Sequence, residues 1–326
     1  MKAESRAFAE HTLADARQVV SDMFSPEACP ILDKMLANPL RKELGERVAG
    51  EIAYQDGCPM AFQGAVLRRL YLGHEPIIGI VGSTLCSRPE TSPVLLMQLM
   101  KATIKPRGGG VLFFANTANV ASMKMNRMLG VKGGGPVTCE RIRFAVTWAP
   151  RFLRWACPKC KAKIYQGINQ SEFDSFWRRY LAGNVGLVAS RSAEELNWMF
   201  GEGIASGDTI LLGHSDEEGL DGYIVLRSTH GGKRWMVMDW IAVRDDEKVL
   251  AYLMKSAVRF IRRETSAVFL EMVGFPEAAD RIAAMSMAFV RRATNNSYLW
   301  QFVSGREDVP QGSWFYGPYD GDRAMG

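Results

Sequence analysis

Twice in this chain, an apolar strand-like run leads into a capped helix, a second strand and a second helix. The order runs once over about residues 77–129 and again over about 236–289. In the first stretch, Ile77–Leu85 is β-branched and punctuated by glycine, which predicts a strand. Ser92-Pro93 then pairs an N-cap residue with a proline at the first helical position. Leu95, Leu96, Leu99 and Met100 form that helix's apolar stripe, and Pro106 with Gly108–Gly110 ends it. Val111–Ala115 reads as a short buried strand, and Asn119 opens a helix that Gly130 closes. In the second stretch, Trp235–Val243 is a strand and Asp245 or Asp246 caps a helix over 247–263. Its stripe is Val249, Leu250, Leu253, Met254, Ala257, Val258 and Ile261. Ala267–Val273 is again a strand, and Pro276–Phe289 a helix. The two stretches differ in sequence, so the repeat is one of architecture. It predicts an α/β protein with a mixed sheet (α+β in its segregation), built as two related modules rather than one continuous sheet.

The remaining segments fit around this frame. Residues 1–50 read as helices, with Pro26 and Pro30 as breaks, and Met60–Tyr71 as a strand. Arg141–Trp148 alternates as a strand does, and 150–170 reads as a basic connection. Val185–Ser190, Thr209–His214 and Gly222–Arg227 are strands, the last two joined by the acidic turn Asp216-Glu217-Glu218-Gly219. Ala193–Phe200 is a helix and Tyr298–Val303 a final strand. The boundaries follow: a helical segment over 1–50, module one over 51–155, a connector over 156–175 and module two over 176–326. A length of 326 residues suits about two domains at roughly 150 residues each.

The net charge of +5 conceals an uneven distribution. From Lys101 to Lys163 there are 13 Lys/Arg against the single acid Glu140, while the other 27 Lys/Arg face 34 acids. A basic band in an otherwise acidic chain calls for an anionic partner or for acidic surface of the chain itself. Apolar residues at 47 % exclude a disordered chain. No run of about 18 apolar residues suggests a membrane span, and the acidic N-terminal stretch is unlike a signal peptide. Six Cys without regular spacing fit a reduced, cytoplasmic protein.

Phe113-Phe114-Ala115-Asn116-Thr117-Ala118-Asn119, continuing through Ser122 to Met128-Leu129-Gly130-Val131, resembles the strand-to-helix segment of the GNAT acyltransferase superfamily. Ile77–Leu85 with Arg88-Pro89-Glu90 and Leu95-Leu96 is similar to the preceding strand, cofactor loop and helix. Met236–Val243 with Arg244-Asp245-Asp246-Glu247, and the closing Trp314 to Tyr319-Asp320-Gly321-Asp322, make the whole chain look like a tandem GNAT protein. The resemblance covers about residues 45–325. It implies a cytoplasmic acyltransferase that moves an acyl group, other than an aminoacyl group, from acetyl-CoA or another acyl-CoA. A small-molecule or peptide acceptor with an amine or hydroxyl would receive it by direct attack.

The residues that would hold the cofactor are then Leu85, Ser87, Arg88, Thr91, Ser92, Asn119, Ser122, Lys124, Asn126 and Arg127. A helix N-terminus offers unpaired N–H groups to a pyrophosphate, and basic side chains suit the 3′-phosphate. The loop Ser87-Arg88-Pro89-Glu90-Thr91-Ser92-Pro93 departs from the family in having no glycine. Module two has only Arg244-Asp245-Asp246-Glu247-Lys248, whose acids repel pyrophosphate, so module one is the expected cofactor module. His74 and Glu75, at the start of the module-one strand, are candidate general bases, beside the plainer reading of a solvated strand end. Asp239, inside an apolar strand, is either catalytic or paired with an arginine, the latter favoured. Cys157 and Cys160 have the spacing of half a zinc site, but two further ligands are lacking and zinc is not expected. Two other functions compete: a non-catalytic GNAT-like binding module, and an aminoacyl-tRNA-dependent transferase of the peptidoglycan-bridge type. Nucleic acid is possible for the basic band but not the favoured partner.

Overall fold

The computed structural model describes residues 3–105, 110, 112–118, 120–129, 137–145, 161–184, 186–229, 231–274, 280–283 and 289–302. The chain begins with a strand, not a helix: β1 (Ala3–Phe8) buries Phe8 and lies antiparallel to β2 (Gly50–Gln55). Helices α1 (Leu13–Met23), α2 (Pro30–Leu36) and α3 (Pro39–Glu43) fill the interval. Two long strands, β3 (Cys58–Leu72) and β4 (Glu75–Ser87), form a hairpin. Then come α4 (Pro93–Thr103), β5 (Leu112–Ala118), α5 (Val120–Met128) and β6 (Val137–Ala145).

The second half holds β7 (Lys163–Tyr165), α6 (Gln170–Gly183), β8 (Leu187–Ala189) and α7 (Ala193–Ser206). Strands β9 (Thr209–Asp216), β10 (Gly219–Thr229) and β11 (Arg234–Ala242) follow as an antiparallel meander. Helix α8 (Glu247–Glu264) leads to β12 (Phe269–Gly274) and β13 (Val290–Phe302). Strand β7 and the start of α6 occupy what reads in sequence as a connector. The signals were present: Asn169 caps α6, accepting from the Glu172 amide, and Phe173, Phe176, Trp177 and Tyr180 make its buried stripe.

The strands of both repeats join in one continuous path, β1-β2-β3-β4-β5-β13-β6-β12-β11-β10-β9-β7, with β8 also pairing β3. This corrects the expectation of two separate sheets. The path is nearly a palindrome. In the first repeat β4 runs parallel to β5, and in the second β11 runs parallel to β12. Between these pairs lie β13 and β6, antiparallel to each other. The inner strands are exchanged. β6, which follows β5 in the chain, pairs with β12 of the second repeat, and β13, which follows β12, pairs with β5 of the first. One apolar core spans both halves, from Phe8, Val19 and Phe62 to Phe176, Met199 and Tyr223, while a second lies under α8.

Candidate functional site

Each parallel pair stays together for only three residues. In the first repeat the contacts are Gly79↔Leu112, Ile80↔Phe113 and Val81↔Phe114, although β4 runs on to Ser87 and β5 to Ala118. Past Val81, β4 remains bonded to β3 and β5 to β13, so the two diverge into a wedge. The second repeat is built the same way, with Arg234↔Phe269, Trp235↔Leu270 and Met236↔Glu271 followed by divergence. Each leading strand then carries an extra residue. The register of β3 against β4 shifts between Gly64↔Ser83 and Phe62↔Cys86, and that of β10 against β11 between Val225↔Asp239 and Leu226↔Val237. In β4 the irregularity holds Thr84 at φ 50°, an unfavourable conformation for a β-branched residue.

The two wedges differ in what fills them. In β4, Gly82, Thr84, Leu85 and Ser87 are half-exposed. In β11 every residue from Val237 to Ala242 is buried, and Trp240 donates from Nε1 to the Leu250 carbonyl at 3.0 Å. The first wedge is therefore open and the second sealed by its own side chains. At the apex of the open wedge, the ring of fully buried Phe113 lies over Gly82. A Cβ at residue 82 would stand 2.8 Å from Phe113 Cζ. Ser83 Oγ and Thr84 Oγ1 share a hydrogen bond of 3.0 Å beside it. Burial pushes the Cys86 thiol up to about 12, so it carries almost no thiolate at neutral pH.

Part of the donor set of the loop between β4 and α4 is already engaged. The Arg88 amide donates to Met60 O at 2.9 Å and the Thr91 amide to Arg88 O at 3.0 Å. Thr91 Oγ1 donates to Met60 O at 3.1 Å, and Ser92 Oγ accepts from the Leu95 amide at 3.1 Å. Pro89 and Pro93 have no amide proton. The Arg88 guanidinium is paired with Asp22 of α1. Lys124 and Arg127 are exposed on the later turns of α5, with Arg127 about 10 Å along the axis from its first turn. Asn126 is buried. The backbone of Ser122 lies in α5, while its side chain, Asn119, Cys157 and Cys160 lie outside the described residues. Among the described residues, no group of three or more His, Cys, Asp or Glu is placed to hold a metal.

His74 and Glu75 stand exposed at the hairpin before β4, six residues from Val81 on the Glu75 side, which is about 20 Å along a strand. The structure does not bring them to the wedge. Asp239 lies on β11, in the second repeat. Its carboxylate accepts from Arg191 Nε at 3.1 Å and from Tyr223 Oη at 2.6 Å, all three fully or nearly fully buried. Beside this triad, Arg68 of β3 approaches Glu195 of α7 at 3.9 Å, both buried. Burial raises the Glu195 carboxyl to about 7 despite the neighbouring Arg68, Arg69 and Arg191 guanidiniums. Part of the basic band meets second-half acids, as Arg143 does Glu271 and Lys163 does Glu172.

The second repeat's loop presents a different surface. Arg244 and Asp245 hold φ at 57° and 51°, and Asp246 caps α8 by accepting from the Lys248 and Val249 amides at 2.7 and 3.2 Å. A cleft of about 690 Å³ beside it carries the acids Asp216, Glu217, Glu218, Asp221 and Asp246 against Arg244 and Arg179, the latter tied to Asp216 and Glu218. Such a lining repels a pyrophosphate.

A mixed sheet with a splayed parallel pair, an irregular leading strand and a helix opening at the splay defines the GNAT N-acetyltransferase fold, and this chain has it. Solved structures agree at the level of fold. A GCN5-related N-acetyltransferase from Kribbella flavida is 12 % identical, with a TM-score of 0.58 over 92 % of this chain and 72 % of its own. N-myristoyltransferase of Saccharomyces cerevisiae, solved with bound myristoyl-CoA, is 9 % identical, with a TM-score of 0.56 over 92 % and 78 %. A tandem GNAT protein from the clavulanic acid biosynthesis pathway is 11 % identical, with a TM-score of 0.52 over 94 % and 100 %. No family model matches the sequence, and no curated protein matches it. Among the described residues no helix is long and apolar enough to cross a membrane.

Proposed function

We propose that the protein is an acyltransferase whose first wedge takes the pantetheine arm of acetyl-CoA or a longer acyl-CoA. The acyl group passes to an amine or hydroxyl acceptor. The observation that carries this reading is the contrast between the wedges: Gly82, Thr84, Leu85 and Ser87 of β4 are half-exposed, whereas every residue of Val237–Ala242 is buried. Beyond Val81 the backbone groups of β4 that face β5 lose their strand partner. An extended arm with its own amides can pair with them as an added strand would. The thioester supplies the activated carbonyl, and the chain supplies the slot, the turn at Thr84 and exclusion of water by Phe113 and Leu85. Backbone N–H groups at that turn are suited to stabilise a developing oxyanion. Cys86 is the sole thiol on β4, and its protonated state disfavours an acyl-enzyme, which supports direct attack. No carboxylate or histidine occurs between Gly82 and Ser87, so the chain's contribution at the apex is positioning rather than base catalysis.

The test is a thermal-shift series with acetyl-, octanoyl- and myristoyl-CoA. Ligand at 100 times its Kd stabilises by about 2.7 kcal/mol, enough to raise Tm by several degrees. The absence of any shift at millimolar thioester rejects the reading.

A further inference from the structure

The open wedge and the loop above it make different demands on a ligand. The wedge suits a pantetheine arm. The loop offers a pyrophosphate little: the amides of Arg88, Thr91 and Leu95 are engaged, two positions are proline, and Arg88 is held by Asp22, which leaves the amides of Glu90, Ser92 and Val94. Glu90 is exposed on the same loop and adds a negative charge where CoA would bring several more. Coenzyme A continues beyond the 4′-phosphate as a pyrophosphate and a phosphorylated adenosine. A phosphopantetheine arm on a carrier protein ends there, as a phosphodiester to a serine.

The surface around the wedge has a second property. Between Glu90 and Glu140 the sequence contains no acid and six Lys/Arg. On α4, Val94, Gln98 and Lys101 are exposed at the i, i+4, i+7 spacing of a single helical stripe, and Lys105, just past the helix, is exposed as well. On α5, Lys124, Arg127 and Met128 are exposed neighbours at i, i+3 and i+4. Val94 and Met128 are 68 % and 67 % exposed, which is high for apolar side chains. Among the described residues no acid lies within ion-pair distance of Lys101, Lys105, Lys124 or Arg127. Lys101 and Arg127 sit about 10 Å along their helices from the first turns, too far out to clamp a phosphate at the loop. Helix α4 follows β4 and α5 follows β5, the two strands that form the wedge. Positive charge interspersed with exposed apolar residues complements an acidic protein surface.

Building on the acyl-transfer reading, we propose that the preferred donor is an acyl-phosphopantetheine arm borne by an acidic carrier protein docked on α4 and α5, bound more tightly than free acyl-CoA. The chemistry needs no further reactant. The neutral acceptor amine adds to the thioester carbonyl and forms a C–N bond, and collapse breaks the C–S bond. The proton shed by nitrogen ends on the departing sulfur, leaving the acceptor as an amide and the carrier with a free thiol arm.

The experiment is calorimetric titration of the full chain with three probes: acyl-CoA, acyl-4′-phosphopantetheine and an acidic acyl carrier protein bearing the acylated arm. Each is run with two-, eight- and fourteen-carbon chains. The truncated arm is expected to bind within threefold of acyl-CoA, and the loaded carrier at least tenfold tighter than both. Raising salt from 50 to 300 mM, or the triple variant Lys101→Glu/Lys124→Glu/Arg127→Glu, is expected to weaken the carrier at least tenfold and leave the truncated arm unchanged. Acyl-CoA binding more than tenfold tighter than the truncated arm, or a carrier no tighter than acyl-CoA, or a carrier indifferent to the triple variant, overturns the carrier proposal and leaves acyl transfer standing. If no probe binds at millimolar concentration, acyl transfer itself is rejected.

Discussion

Gly82 shows how much one missing methyl group can decide. The Phe113 ring occupies the space a Cβ would need, at 2.8 Å, and the ring is fully buried. Gly82→Ala is therefore expected to displace Phe113 at the apex of the wedge, costing about 1–3 kcal/mol of stability and weakening thioester binding at least tenfold. Chemical denaturation and thioester titration read the two effects separately. His74 and Glu75 make the opposite case. The sequence places them at the start of the right strand, but about 20 Å of strand separates them from the apex. His74→Ala and Glu75→Gln should each leave kcat/KM within about twofold of the parent. Glu195 titrates where stability can be followed. Its folded pKa, about 7, lies above the ordinary 4.5, so the folded state holds the proton more tightly than the unfolded one. The associated stability is complete below about pH 4.5 and is lost as pH rises through 7. Glu195→Gln should remove that decline, worth on the order of 3 kcal/mol, when denaturation midpoints of the two proteins are compared from pH 5 to 8.

At the scale of the element, local chemistry was legible and pairing was not. Ser92 caps α4 and Asp246 caps α8 as their residue types and positions imply, and the apolar stripe of α8 lies buried as its spacing requires. These signals act within a few residues, so the sequence displays them directly. Ser92→Ala should cost about 1 kcal/mol, read from denaturant midpoints, because the Leu95 amide loses its acceptor. Strand β1 was hidden because Ala-Glu-Ser-Arg-Ala-Phe carries one strongly apolar residue, and its pairing to β2 lies some 45 residues away. The shift in β4 was hidden for the same reason. An extra residue is defined only against the register of β3, and Ser-Thr-Leu reads as an ordinary strand in isolation. Openness of one wedge and closure of the other depend on which side chains from distant elements arrive there. No local pattern in Ile77–Leu85 or Trp235–Val243 reports it.

Across the whole molecule, the exchange of β6 and β13 makes the two repeats one folding unit. Strand β5 has β13 as its outer partner, and β6 has only β13 and β12. Both partners of β6 come from the second half of the chain, as does the Glu271 that pairs with Arg143. The shared core adds to this dependence: Arg68 and Phe62 on β3 belong to the same interior as Glu195, Met199 and Tyr223. A first half expressed alone would leave β5 and β6 with unpaired edges and expose its share of the common core, which second-half residues cover. Cleaving the gene between residues 155 and 156 should therefore yield two fragments that each lack cooperative unfolding and sharp amide dispersion. Mixed or co-expressed, they should recover a single transition, since β13 can still reach β5 and β6 can still reach β12 from separate chains. A first-half fragment that folds cooperatively on its own would show that the exchanged strands decorate an independent module. In that case donor binding should also survive without β13, a second result that the same fragment makes directly measurable.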